Sequence, residues 1–215
     1  MTRTQPLQIA VLLSGNGTSL ESLFERIDAG EIQGQVSVVI ASREDAFGLE
    51  RARRRGVPAV AVPRKAYPNT QAFNEALHEE LSKHSVQLVA LLGFMCLFEM
   101  RPAYVGRTIN VHPALIPAFC GKGYYGERVH QAVLDKGVRL TGATVHFVDA
   151  EYDHGPIILQ DTVPVLEEDT VDSLAARVQA LERDLVARTI QLFAEGRLEI
   201  IGQRVRILAG PKASA

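Results

Sequence analysis

The chain contains little cysteine, almost no net charge and no long hydrophobic run. Its two cysteines, Cys96 and Cys120, lie far apart and have no histidine at zinc-finger spacing, so neither a disulfide framework nor a zinc site is indicated. The 23 basic and 25 acidic residues give a formal net charge of -2. This balance gives no electrostatic reason to expect nucleic acid or an anionic membrane as the main partner.

The longest apolar stretches fall well short of the roughly 20 residues that a helix needs to span a bilayer. The first residues, MTRTQPLQIAVLL, also lack the apolar core and the small-residue cleavage site of a signal peptide. We therefore expect no membrane partner and a cytoplasmic location. Because 47% of the 215 residues are hydrophobic, residues 1–215 can bury the core of one domain.

The first half of the chain alternates short apolar runs with amphipathic stretches. LQIAVLL precedes TSLESLFERIDAG, VSVVIAS precedes DAFGLERARRRG, and VPAVAVP precedes TQAFNEALHEELSKH; VQLVALLG and TINVH follow. Strands that alternate with helices predict a parallel sheet covered on both faces by right-handed crossovers. Residues 8–110 are therefore predicted to be doubly wound.

The second half has a different pattern. A helix over ERVHQAVLDKG precedes two strands, LTGATVHFVD and PIILQDTVPVL, which the short segment AEYDHG joins. Two strands joined by so short a segment are predicted to be antiparallel. A long helix over about residues 170–195 and a terminal hairpin around Gly202, within residues 197–215, complete the prediction.

A glycine-containing turn, SGNGTSL, follows the first strand. Gly15 and Gly17 permit tight backbone geometry, and the helix that follows presents unpaired N–H groups and a positive dipole end to an anion. An NAD site is disfavoured, because the dinucleotide fingerprint needs a third glycine where Leu20 stands. Two interpretations remain, namely a monophosphate site and a plain turn capped by Thr18 or Ser19.

Asn110 and His112 stand at the end of a predicted strand. Side chains at i and i+2 of a strand project to the same side, and open parallel sheets bind ligands at the carboxyl edge. An amide and an imidazolium can both donate hydrogen bonds to an oxygen that becomes negative, as acyl or formyl transfer requires. The alternative is a structural strand end with a capping histidine.

Three carboxylates, Asp149, Glu151 and Asp153, lie in the segment VDAEYDHGP between two strands. Any of them could return to the edge that carries His112, where it would favour the charged imidazole and assist proton removal from an amine. The alternative is a solvated acidic turn.

Glu182 falls among apolar residues at helical spacing. That apolar face is formed by Val171, Leu174, Val178, Leu181, Leu185, Val186 and Phe193. A carboxylate there needs a partner, because leaving it buried and unpaired is costly. An internal salt bridge is one solution and a bound ligand is another.

Seven stretches, in one order over about residues 8 to 196, resemble the folate-dependent glycinamide ribonucleotide formyltransferases of purine synthesis. They are SGNGTSL, DAFGLERAR, LLGFM, INVHPALIPAF, TGATVHFV, YDHGPIILQ and ARVQALE. The resemblance implies a Rossmann-like α/β fold with a doubly wound, mostly parallel sheet and an antiparallel C-terminal extension. It also implies formyl transfer from 10-formyltetrahydrofolate to the amine of glycinamide ribonucleotide, without a metal or a covalent enzyme intermediate.

The resemblance assigns roles to individual residues. Residues 8–110 would form the phosphate-binding half and residues 111–196 the catalytic and folate-binding half. Asn110, protonated His112 and Asp153 match the family's catalytic residues, and the loop that follows His112 would cover the site and exclude water. The positions that match the ribonucleotide site are Gly17, Thr18, Ser19 and Glu182. The positions that match the folate site are Met95, Cys96, Leu97, Phe98, Asn110, Asp149 and Asp153.

Three features depart from the family pattern. His154 follows Asp153 where a small residue is usual, Thr70 stands where some members have an arginine near the folate tail, and the loop CGKGYYGERVH is long. The alternatives to a transferase are a hydrolase that releases formate from the same folate and a non-catalytic nucleotide-binding protein. We expect small-molecule substrates and a monomer or a homodimer.

Overall fold

The computed structural model describes residues 5–210; the first four residues and the end of the predicted tail, 211–215, lie outside this range. The strands are β1 Leu7–Leu13, β2 Gly34–Ala41, β3 Ala59–Ala61, β4 Leu88–Leu91, β5 Thr108–His112, β6 Leu140–Phe147, β7 Ile157–Pro164, β8 Leu198–Ile201 and β9 Arg204–Ile207. The α-helices are α1 Thr18–Asp28, α2 Phe47–Arg54, α3 Thr70–Ser82, α4 Glu127–Lys136 and α5 Val171–Ala194. The chain forms two compact units. One is Leu7–Asn110, and the other includes the residues from Val111 onward.

The Leu7–Asn110 unit is built on a parallel sheet in the order β3-β2-β1-β4-β5. Six of the seven residues of the central strand β1 are buried, as expected for a strand that is covered on both faces. Helices α1, α2 and α3 alternate with the strands along the chain. This confirms the predicted doubly wound, Rossmann-like fold.

The strand register brings the ends of three strands to one edge of this sheet. Leu12 of β1 pairs with Leu91 of β4, and Leu91 pairs with Asn110 of β5. The chain leaves β1 toward β2 on one side, whereas β4 lies on the other side. This is the switch point at which open parallel sheets bind ligands, and the turn after β1, the segment after β4 and Asn110 all lie there.

The unit that begins at Val111 contains the antiparallel strands that the sequence predicted. β6 pairs with β7 from Leu140↔Pro164 onward, and β8 pairs with β9 around the turn at Gly202. One difference is that β7 and β9 pair in parallel, at Ile157↔Arg204. The hairpin reverses the chain once more after α5, so β9 runs in the direction of β7.

Helix α5 packs on β6 and β7. Thr170 begins the helix with a capping box, in which its hydroxyl accepts from the Ser173 N–H. The predicted apolar face is only partly correct, because Val171, Leu181 and Phe193 are half-buried. The buried residues of the helix also include small ones that the prediction did not name, among them Ala175, Ala187 and Ala194. Within residues 5–210, no helix is both long and apolar enough to cross a membrane.

Candidate active site

The glycine turn after β1 is held by a second glycine-containing segment. Gly17 begins α1 at φ 70°, and a Cβ at this position would stand 2.7 Å from the Cα of Gly48. The Gly48 N–H donates to the carbonyl of Gly15 at 3.1 Å. The two backbones therefore touch directly, and any side chain at Gly17 would separate them.

No side chain caps α1 at this turn. Gly17 is the residue at the N-cap position, and across the described residues the hydroxyls of Thr18 and Ser19 form no hydrogen bond. The interpretation that Thr18 or Ser19 caps the helix is therefore wrong. The first-turn N–H groups and both hydroxyls therefore have no capping partner among the described residues.

Ser14 links the glycine turn to the segment that follows β4. Its hydroxyl lies 2.6 Å from that of Ser42 and accepts a hydrogen bond from the Met95 N–H at 2.8 Å. The Ser14 N–H donates to the carbonyl of Gly93 at 3.0 Å. Two loops at the carboxyl edge of the sheet are thus fixed to each other by one buried serine.

The segment Met95–Phe98 is only partly a core element. Phe98 is buried, Cys96 and Leu97 are half-buried, and Met95 is 51% exposed. Burial raises the pKa of the Cys96 thiol above its usual range, so the thiol stays protonated at neutral pH. A segment that is half accessible in this way can line a ligand pocket.

Thr70, where some members of the resembling family have an arginine, is the first residue of α3. Its hydroxyl accepts a hydrogen bond from the guanidinium of Arg64 at 3.4 Å. Arg64 also lies over the ring of Phe73, 5.7 Å from its centroid. A guanidinium therefore stands beside this position, although it comes from a different place in the sequence.

Asn110 and His112 are the third and fifth residues of β5, so their side chains leave the strand on the same side. His112 is 3% exposed. Its Nε2 lies 2.8 Å from the carbonyl oxygen of Phe119, and its Nδ1 lies 3.4 Å from Oδ2 of Asp153. A carbonyl accepts only, so Nε2 carries a hydrogen, and Nδ1 faces the carboxylate.

The Asp153 carboxylate is held from several sides. Oδ2 accepts from the Gly121 N–H at 2.9 Å, and Oδ1 lies 3.8 Å from Nε2 of His146. The backbone at Asp153 is left-handed, with φ 53°, as it is at Phe119 with φ 52°. Such conformations in residues other than glycine cost free energy and persist where the surrounding structure imposes them.

The chain belongs to the formyl transferase family. Its sequence profile matches residues 7–190. The phosphoribosylglycinamide formyltransferase of Escherichia coli is 37% identical over 198 residues, with 90% of each chain covered. The chloroplastic phosphoribosylglycinamide formyltransferase of Vigna unguiculata is 38% identical over 194 residues, which are 89% of this chain and 62% of that relative. Among solved structures, glycinamide ribonucleotide transformylase 1 from Symbiobacterium toebii has 47% identity, a TM-score of 0.88 and 96% of both chains covered.

The electrostatics of this formyl transferase differ from expectation at His112. Burial lowers the pKa of His112 below the usual range of histidine, and the opposing effects of Asp153 and the Phe119 carbonyl do not outweigh it. The expectation that a neighbouring carboxylate favours the charged imidazole is correct for the effect of Asp153, but burial outweighs that effect. The cause is desolvation, which the sequence does not reveal.

Asp153 is shifted in the direction that keeps its carboxyl ionised. Burial raises the pKa of this carboxyl, but His146, His112 and the Gly121 N–H together outweigh burial and lower the pKa below its usual range. Asp153 is therefore a carboxylate at neutral pH.

The other two carboxylates of the same loop do not contact His112 in the described structure. Asp149 Oδ2 bonds Nδ1 of His154 at 2.7 Å, and its Oδ1 accepts from the Glu151 N–H. This ion pair raises the pKa of His154. Glu151 is exposed. His154, which departs from the family pattern, therefore fixes Asp149 within the loop.

Glu182 lies on α5 as a half-buried residue, and its carboxyl is buried. Desolvation raises the pKa of this carboxyl to about 7, against a smaller opposing effect of Arg183. Its carboxyl forms no hydrogen bond or salt bridge among the described residues. The sequence analysis offered two possible partners for Glu182, an internal salt bridge and a bound ligand. The internal salt bridge is not formed among the described residues.

Sequence reasoning missed several residues that shape these sites. His146 and the backbone of Phe119 and Gly121 surround the pair formed by His112 and Asp153, and Asn74 and His78 bind the segment after β4. Asn74 and His78 lie next to the apolar face of α3. A search for polar residues among apolar residues at helical spacing, which identified Glu182, would also have identified them. The backbone contacts had no comparable signal.

Proposed function

We propose that this protein transfers the formyl group of 10-formyltetrahydrofolate to the amine of glycinamide ribonucleotide, a step of purine synthesis. The observation that carries the proposal is the contact between buried His112 and Asp153. His112 stands two residues after Asn110 on β5. Family membership supports the class of reaction.

In the proposed mechanism, the neutral glycyl amine attacks the formyl carbon and forms a tetrahedral intermediate. Asn110 donates a hydrogen bond to the formyl oxygen as it becomes negative. Burial keeps His112 neutral at rest, but a developing oxyanion beside the ring raises its proton affinity. The proton that Asp153 takes from the attacking amine passes to Nδ1 of His112, which faces this carboxylate. The imidazolium therefore forms while the intermediate carries its negative charge, and the same proton later goes to N10.

Asp153 would remove the proton of the attacking amine. Its lowered pKa keeps it ionised, and the N–H of Gly121 holds one carboxylate oxygen in place. The new bond joins the glycyl nitrogen to the formyl carbon, and the bond that breaks joins that carbon to N10 of the folate. The proton lost by the amine is returned to N10, so the products are formylated ribonucleotide and tetrahydrofolate.

The ribonucleotide would be bound by the residues that the resemblance indicates. The uncapped first turn of α1, with Gly17, Thr18 and Ser19, suits a phosphate because its donors have no protein partner. Glu182 would accept hydrogen bonds from the ribose hydroxyls, which supplies the partner that its carboxyl needs.

The folate would be bound through the Met95–Phe98 segment, with Asn110, Asp149 and Asp153 as further contacts. The half-accessible backbone of Met95, Cys96, Leu97 and Phe98 suits the many donors and acceptors of a pterin ring. Arg64, beside Thr70, would supply the positive charge for the carboxylates of the folate tail.

The first experiment incubates purified protein with 10-formyltetrahydrofolate, with and without glycinamide ribonucleotide, and identifies products by mass and folate absorbance. We expect formylated ribonucleotide only when the amine is present. Formate release without the amine would instead favour a hydrolase. Nucleotide binding with no turnover would favour a non-catalytic protein.

The variants Asp153→Asn and His112→Ala test the catalytic residues. We expect kcat to fall by roughly 100-fold or more, as for loss of a general base or an electrostatic stabiliser, while ribonucleotide binding stays nearly intact. Glu151→Gln is the matched control, because it removes an exposed carboxylate from the same loop. Near-normal kcat in both test variants would reject the assignment.

A further inference from the structure

The segment from Met95 to Glu99 lies in neither a strand nor a helix. Its backbone therefore lacks the regular partners that fix a strand, and side chains from other elements must hold it. Ser14 binds the Met95 N–H. The remaining bonds come from helix α3.

Asn74 of α3 bridges two peptide groups of this segment. The residue is 2% exposed. Its Nδ2 donates to the carbonyl of Leu97 at 3.1 Å and to that of Thr70 at 3.0 Å, while its Oδ1 accepts from the Glu99 N–H at 2.8 Å. One carboxamide thus replaces the donor and the acceptor that a neighbouring strand would offer.

His78, one turn further along α3, holds the same segment. It is 3% exposed, and its Nε2 donates to the carbonyl of Glu99 at 2.7 Å. The ring packs against Phe98 with centroids 4.9 Å apart and against Tyr104 with centroids 5.5 Å apart. Burial lowers the pKa of His78, so the ring is neutral and its hydrogen on Nε2 is the donor.

These hydrogen bonds involve the backbone groups of Met95, Leu97 and Glu99. They do not involve the residues between them, Cys96 and Phe98. Among residues 5–210, the backbone N–H and C=O groups of Cys96 and Phe98 form no hydrogen bond within the protein. We propose that Asn74 and His78 are positioning residues, which fix this segment so that the backbone groups of Cys96 and Phe98 meet the folate ring. The inference rests on the proposed function.

Steady-state kinetics of Asn74→Asp and His78→Leu test the inference. Asn74→Asp keeps the size of the side chain and the acceptor for the Glu99 N–H, but it sets a carboxylate oxygen against the Leu97 and Thr70 carbonyls. We expect KM for 10-formyltetrahydrofolate to rise roughly tenfold in each variant, as for loss of a buried hydrogen bond. KM for the ribonucleotide should stay within about twofold of wild type, since those contacts are untouched.

Two further variants separate positioning from stability. Leu77→Ala removes a buried side chain from the same helix and should lower the unfolding midpoint while leaving both KM values unchanged. His78→Gln keeps an N–H donor, so it should restore most of the folate affinity that His78→Leu loses. If Asn74→Asp and His78→Leu leave the folate KM unchanged, or raise both KM values equally, the inference is wrong.

Direct binding of 5-formyltetrahydrofolate, an unreactive analogue, keeps this test independent of turnover. A wild-type protein that transfers no formyl group would overturn the proposed function. The inference would still be supported if Asn74→Asp had a larger dissociation constant for the analogue than wild type and Leu77→Ala. Equal dissociation constants in all three, or no binding by wild type, would overturn the inference.

Discussion

His112 and Glu182 are both shifted toward their neutral forms by the same cause. Desolvation lowers the pKa of the imidazole and raises that of the carboxyl to about 7. Asp153, in contrast, stays ionised because its neighbours His146, His112 and Gly121 outweigh its burial. The direction at each residue therefore depends on how well its neighbours replace the water that folding removes.

Glu182→Gln should show how the raised pKa affects stability. Between about pH 4.5 and pH 7, the folded protein binds more protons at Glu182 than the unfolded chain does, because the folded pKa is about 7 and the ordinary value is 4.5. The free energy of unfolding of wild type therefore falls as pH rises through this window. At pH 8 we expect the glutamine variant to be more stable by about 1–3 kcal/mol, whereas at pH 4 the two should be equal.

Chemical denaturation at pH 4 and pH 8 measures this difference. Asp172→Asn is the control, because it removes an exposed carboxylate from the first turn of the same helix and should show no such gain at pH 8. A glutamine variant that is no more stable than wild type at pH 8 would show that the Glu182 carboxyl has an adequate partner.

At the scale of elements, the β1–α1 connection shows how closely local geometry is specified. Gly17 combines a left-handed backbone with backbone contact to Gly48. Arg51 of α2 adds a hydrogen bond from its Nε to the Asn16 carbonyl at 2.9 Å. The turn is thus held by α2 on one side and by Ser14 on the other.

Gly17→Ala should weaken both stability and phosphate binding. The new Cβ would lie 2.7 Å from the Gly48 Cα, and alanine disfavours positive φ, so we expect a loss of about 1–3 kcal/mol in the free energy of unfolding. The KM for the ribonucleotide should also rise, because the first-turn N–H groups are displaced.

Gly15→Ala is the matched control for this turn. Its Cβ would have no heavy atom within 4 Å, and the backbone is not left-handed. Denaturation midpoints and ribonucleotide KM should therefore stay close to wild type. If both alanine variants behave alike, contact with Gly48 does not determine the turn.

At the scale of the whole molecule, ligand binding is coupled to folding. The proposed phosphate site depends on the contact between the β1–α1 turn and Gly48 of α2, so the unfolded chain cannot bind the ribonucleotide. A ligand at 100 times its dissociation constant then stabilises the native state by about 2.7 kcal/mol. In a chain of 215 residues this corresponds to a rise of roughly 5–10 °C in Tm.

Thermal unfolding with and without glycinamide ribonucleotide checks this expectation. Glycine alone, which lacks the phosphate, should leave Tm unchanged, and Gly17→Ala should lose most of the shift at the same ligand concentration. An equal shift in wild type and Gly17→Ala would place the phosphate elsewhere.

The sequence by itself determined the order of the elements, the doubly wound sheet and the family. These follow from apolar periodicities of 2 and about 3.6 residues, from glycines such as Gly30 and Gly202 where elements end, and from motifs that can be compared one residue at a time. The information is local in the chain, so no long-range distance is needed to use it.

The family motifs indicated Asp153, but only the tertiary structure decided that burial lowers the pKa of His112 and that Asn74 and His78 hold the segment after β4. Spacing alone does not separate Asp149, Glu151 and Asp153, whereas the structure places the Asp153 carboxylate 3.4 Å from Nδ1 of His112. Desolvation likewise depends on atoms that come together from distant parts of the chain. Sequence patterns encode which face of an element is buried, whereas packing decides what each buried polar group touches.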